Sequence, residues 1–158
     1  SWCSTVKTDA DILSLAQQGD QEAALERIRQ LGRESPYYLT KVIAGYSDMT
    51  PDLHQPICNW LAAEEDRERG LLFPRKYYKS SALKGYVLRC LTLPKGQERR
   101  FLFVGENEVV GSKNVADIQW KFRDDKLFQA LYPHLIPADR GREWPASSMT
   151  LPRSKSYD

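Results

Sequence analysis

The run Leu71-Leu72-Phe73-Pro74-Arg75-Lys76-Tyr77-Tyr78-Lys79-Ser80-Ser81 decides how the rest of this chain is read. It opens on three apolar residues, breaks at Pro74 and passes through a basic, aromatic loop. From Ser80 helical spacing returns, with Leu83, Val87 and Leu91 on one face. Strand, loop, helix is the order in which a phosphate-binding loop is built: backbone amides cradle phosphate at a helix N-terminus, a Lys reaches the terminal phosphates, and the next hydroxyl binds magnesium. Lys79-Ser80 occupies those closing positions. The two glycine positions of G-x-x-x-x-G-K-[ST], however, hold Phe73 and Tyr78. On the motif alone, Lys79 and Ser80 merely begin a surface helix.

Downstream, residues 100–104 read as a second buried-type strand and Gly105-Glu106-Asn107 as a turn. Val115, Ile118, Phe122, Leu127 and Leu131 mark one or two helices, and 148–151 alternates like a strand that Pro152 ends. Strands separated by helices of this length predict an α/β fold with a parallel sheet covered on both faces.

Upstream the chain reads as helical. Asp9 or Asp11 caps a helix to Gln18, and Asp20 caps a second one that carries Leu25, Ile28 and Leu31 and stops at Gly32. Residues 1–34 are thus expected to form an N-terminal helical hairpin, with 35–158 a separate, partial domain. Ser35-Pro36 and Thr50-Pro51 start two further helices, over 37–46 and from Leu53 through Ile57, Trp60 and Leu61.

Composition bounds the function without choosing it. The 158 residues fit one domain, and 41% hydrophobic with 28% charged residues predicts a folded globular chain. A net charge of +2 does not by itself require nucleic acid. Cys3, Cys58 and Cys90 are too scattered for a zinc knuckle or a disulfide framework, and no apolar run approaches a membrane span. These features point to a reducing, cytoplasmic setting. The chain begins without Met and stops just after a strand-like run, so it reads as incomplete at both ends.

From about Ser35 to Arg153 the order of blocks resembles the ATPase half of the large terminase subunits of tailed phages. The blocks are Tyr37-Tyr38 through Gly45-Tyr46, Met49-Thr50-Pro51, Leu53-His54-Gln55, the 73–81 loop, the strand-like 100–105, Leu127-Phe128 with Leu131-Tyr132-Pro133 and Ile136-Pro137, and Trp144 followed by 148–153. The resemblance implies a P-loop NTPase-like ATPase domain, here an incomplete one, that binds ATP and Mg2+. It also implies ATP-driven translocation of double-stranded DNA into a capsid, with the portal protein and small terminase subunit as partners. The setting would be the bacterial host cytoplasm at the procapsid portal, with a possible homo-oligomeric ring in the full-length protein. Lys79 would hold the β- and γ-phosphates, Ser80 the magnesium and Gln55 the adenine edge. Arg75 would be the catalytic arginine that stabilises the transferring phosphoryl group.

Two departures bear on that reading. Lys76 stands where the family usually has Gly, and Tyr78 where a standard loop has its second Gly. Both lie in the nucleotide-binding loop, where a Cβ hinders close approach of backbone to phosphate, so glycine at either position is expected to tighten binding unless Lys76 compensates as a cation. No Asp-Glu pair after an apolar strand follows, and no nuclease region, so hydrolysis is not expected from this chain alone. The competing reading is a non-catalytic α/β interaction module whose phosphate loop is degenerate. His54 and His134 have no partner legible in the sequence and receive no metal or acid–base role. Trp60, Trp120 and Trp144 read as packing residues.

Overall fold

The computed structural model describes residues 19–63, 70–72, 74–93, 100–104, 106–136, 144–145 and 147–151. Helix α1 (Gln21–Glu34) starts where Asp20 accepts the Ala23 N–H at 3.0 Å. Its Leu25, Ile28 and Leu31 turn to the core. Gly32, expected as the stop, lies inside the helix, and a Cβ there would come 2.7 Å from the Ile43 side chain. The glycine is a packing contact. Ser35 then caps α2 (Pro36–Tyr38), accepting the Tyr38 N–H at 3.1 Å with Pro36 at the first position. This helix runs directly into a π-helical turn, Leu39–Ile43, which Gly45 leaves at φ 74°.

Helix α3 (Pro51–Ala63) buries His54, Ile57, Cys58 and Leu61, whereas Trp60 stays exposed. Helix α4 (Lys79–Leu91) follows the basic loop. Asn107 caps α5 (Glu108–Arg123) through the Val110 N–H, and Asp125 caps α6 (Lys126–Leu131) through the Phe128 N–H. A 3-10 turn, Pro133–Leu135, comes next.

Two apolar clusters hold these helices together. Leu39, Ile43, Leu88, Phe122, Phe128 and Leu131 centre the larger, and Met49, Ile57, Cys58, Leu61 and Ala82 form the smaller. Tyr46 and Tyr86 pack against both. Helix α4 contributes to each cluster, which makes it the central element and sets the position of the loop before it.

The predicted α/β architecture with a parallel sheet is corrected by the structure: there is no strand among the described residues, which are dominated by helix. The runs 70–72, 100–104 and 147–151 carry no ladder hydrogen bonds. Phe101 and Phe103 pack on the larger cluster while Leu102 and Val104 are 86% and 84% exposed, and Leu72 is 97% exposed. An apolar run records which side chains are buried; a sheet also needs a neighbouring strand, and no described segment supplies one. Residues 145 and 147–150 are held by side chains instead. The Gln119 amide donates to the Pro145 and Ser148 carbonyls at 2.8 and 2.9 Å, and the Trp144 indole donates to the Thr150 carbonyl at 3.2 Å.

The helix expected over 9–18, and with it half of the N-terminal hairpin, lies outside the described residues, as do Cys3, Phe73, Gly105, Pro152 and Arg153. No helix of the described residues is long and apolar enough to cross a membrane.

Candidate functional site

The basic loop turns at Arg75 and Lys76 and delivers Tyr78 as the N-cap residue of the 13-residue helix α4. Both odd positions have left-handed backbones: Lys76 at φ 69° and Tyr78 at φ 49°, ψ 27°. A non-glycine residue in that region costs about 1–2 kcal/mol, so the loop takes up glycine-like angles at the two places where the phosphate-loop pattern or the terminase pattern has glycine. Left-handed Tyr78 followed by helical Lys79 is the alternation that turns successive N–H groups into one concavity. Tyr78 offers that first turn no side-chain cap. The Ala82 N–H closes the first helical bond to the Tyr78 carbonyl at 3.0 Å.

Arg75, Lys76 and Lys79 place three cations on seven consecutive residues, 74–80. Lys76, Tyr77, Tyr78, Lys79 and Ser80 line an open depression of about 400 Å³. Arg75 and Ser80 are exposed, and Arg75 forms no hydrogen bond with a described residue. The structure therefore brings Lys76, Tyr78, Lys79 and Ser80 together. Gln55 lies near the start of α3, partly buried, and its side chain makes no hydrogen bond with a described residue. No group of three or more His, Cys, Asp and Glu suited to a metal occurs among the described residues.

The loop leans on the corner that leads into α3. The Tyr78 hydroxyl donates to Asp48 Oδ2 at 3.3 Å, and the Tyr78 ring meets the His54 imidazole edge-on, 5.8 Å between centroids at 69°. The Asp48 charge, with some desolvation, pushes the Tyr78 phenol above its ordinary pKa. Met49 in the same corner is fully buried, and its carbonyl accepts from the Tyr37 hydroxyl at 3.0 Å and from Lys41 Nζ at 2.7 Å.

A second polar group lies further along α4. Lys84 is buried and pairs with Asp117 at 2.6 Å, while Lys121 pairs with Asp125 at 3.4 Å. Both ammonium groups lie 5.6 Å from the centre of the Tyr46 ring. Burial, and secondarily Asp117, pushes the Tyr46 phenol up to about 12. Each lysine has its carboxylate, so this group ties α4, α5 and the 45–46 turn together and leaves no charge over for a ligand.

His54 and Lys84 were not expected from the sequence. The signal was present in both cases: His54 lies three, four and seven positions before Ile57, Cys58 and Leu61, and Lys84 three and four before Val87 and Leu88. That spacing puts each on the buried face of its helix. Comparison of the chain with protein-family models, with curated proteins and with solved structures finds no match.

Proposed function

We propose that residues 74–80 bind the polyphosphate of a nucleoside triphosphate, and that the chain is the nucleotide-gripping part of a DNA-packaging motor of the terminase type. The left-handed backbone at Lys76 and Tyr78, set directly before the N-terminus of α4, is the observation that carries the first half. It is the backbone form that an anion cradle requires, adopted here by side chains that do not favour it. The second half rests on the ordered resemblance of 35–153 to large terminase subunits.

In this reading the Lys79 ammonium and the first-turn amides of α4 meet the phosphates, and the exposed Ser80 hydroxyl supplies an oxygen for magnesium. Lys76 adds charge to the same depression. Arg75 reaches toward the terminal phosphoryl group, and Gln55 takes the adenine edge. Double-stranded DNA, the portal protein and the small terminase subunit are the partners, with a ring of subunits in the working motor.

A second reading is an interaction module whose loop binds no nucleotide. The bare apolar side chains of Leu72, Leu102 and Val104 favour it, since they offer a partner a surface unrelated to the loop. A thermal shift with MgATP separates the two. Stabilisation that grows with ligand concentration and is lost in Lys79→Ala supports the nucleotide reading, and an unchanged Tm up to millimolar MgATP removes it.

A further inference from the structure

Tyr78 stands where a phosphate loop has glycine, and its backbone sits in the left-handed region that a side chain rarely enters. Such a position persists only where neighbouring groups over-determine it. Two groups do so here, both from the corner before and at the start of α3. Asp48 accepts the Tyr78 hydroxyl, and His54 meets the Tyr78 ring.

His54 is itself fixed and incomplete. It is 3% exposed, and its Nδ1 accepts the Thr50 N–H at 2.9 Å. The same Nδ1 also lies 3.1 Å from the Thr50 carbonyl, so Thr50 engages this nitrogen and leaves Nε2. That Nε2 is buried with no hydrogen-bond partner. The Tyr78 ring stands against this imidazole in a T-shaped pairing, 5.8 Å between centroids. In the same corner the Met49 carbonyl is doubly held, by the Tyr37 hydroxyl and the Lys41 ammonium.

We propose that Tyr78 is a latch and that Asp48 and His54 are positioning residues: together they hold the loop in its left-handed form and so aim the first turn of α4 at the anion. The side chain at 78 is then not an obstruction left by a lost glycine but the part that replaces glycine's freedom with an anchor. The functional half of this inference rests on the reading of 74–80 as a polyphosphate site; the latch itself does not.

The test separates the two. Amide hydrogen exchange at Ala82, whose N–H bonds to the Tyr78 carbonyl, reads the latch with no ligand present, and calorimetry with MgATP reads the site. Tyr78→Asn keeps a residue that tolerates left-handed backbone but reaches neither Asp48 nor His54, whereas Tyr78→Phe keeps the ring and loses only the hydroxyl. The expected result is Ala82 exchange about tenfold or more faster in Tyr78→Asn and intermediate in Tyr78→Phe. MgATP affinity should fall about tenfold in Tyr78→Asn and be largely rescued in Tyr78→Phe. Leu102→Ala, at an exposed side chain outside residues 74–80, should stay within about twofold of the parent in both. Unchanged Ala82 exchange in Tyr78→Asn overturns the latch. Faster exchange with equal or tighter MgATP binding overturns the positioning role and restores Tyr78 as an obstruction. If the parent itself binds no MgATP, the polyphosphate reading falls, and the exchange series alone decides whether the latch stands.

Discussion

Gly85 on α4 faces Thr40 in the π-helical turn so closely that a methyl group on the glycine would overlap the threonine hydroxyl and methyl. Thr40 is itself tied down: its hydroxyl donates to the Pro36 carbonyl at 2.8 Å, and the Cys58 thiol of α3 lies 3.9 Å away. Three helical segments therefore close on one point where only a hydrogen fits.

The first expectation concerns that point. In an open helix interior, Gly→Ala stabilises by roughly 0.5–1 kcal/mol. Gly85→Ala should instead destabilise by about 1–3 kcal/mol through overpacking. Denaturant unfolding decides the sign, and Gly85→Ala combined with Thr40→Ala should recover part of the loss. A stabilised Gly85→Ala protein would show that α4 does not pack on the π turn as described.

Lys79 begins α4 at a partly exposed position. Lys79→Ala should abolish MgATP or ADP binding in calorimetry while shifting stability by less than about 0.5 kcal/mol, as surface substitutions do. Equal affinity in parent and variant would remove Lys79 from the site.

At Lys76 the backbone and the charge pull in opposite directions. Lys76→Gly removes a left-handed side chain, which should stabilise the fold by about 1 kcal/mol. If the Lys76 side chain only hinders phosphate, Lys76→Gly also tightens MgATP and Lys76→Arg does not. If its ammonium pairs with phosphate, Lys76→Gly weakens binding and Lys76→Arg keeps most of it. Calorimetry of both variants at fixed magnesium distinguishes these outcomes, and no change in either would argue that the loop does not bind nucleotide.

The Tyr46 phenol, pushed up to about 12 by burial and by Asp117, predicts an alkaline signature. Below pH 10 the phenol is neutral both folded and unfolded, so it adds no pH dependence. Between about 10 and 12 the unfolded chain loses the proton and the folded chain keeps it. Stability from this group therefore falls as pH rises through that window, by an amount on the order of 2 kcal/mol once the folded phenol has ionised. Other groups also ionise at alkaline pH, so the informative quantity is a difference. Tyr46→Phe keeps the ring beneath both ammonium groups and should flatten the alkaline slope relative to the parent in denaturant unfolding. Parallel slopes would place Tyr46 in water.

The helix starts at Asp20 and Ser35 were legible in the sequence because capping is local: each accepts an N–H three residues on, and Pro36 and Pro51 sit at the first helical positions they prefer. Asn107, read as part of a turn, and Asp125, not singled out, cap in the same way. The loop before α4 was legible for the same reason, since Pro74 and the return of helical spacing after Ser80 need no distant partner. Tertiary structure decided the rest. Gly32 reads as a helix stop until Ile43 arrives against it from eleven positions away. The left-handed angle at Tyr78 is secured by Asp48, thirty residues back. The runs 70–72 and 100–104 carry the composition of strands, yet whether such a run joins a sheet depends on a second segment reaching it in register, and that is a long-range pairing that no stretch of sequence encodes alone.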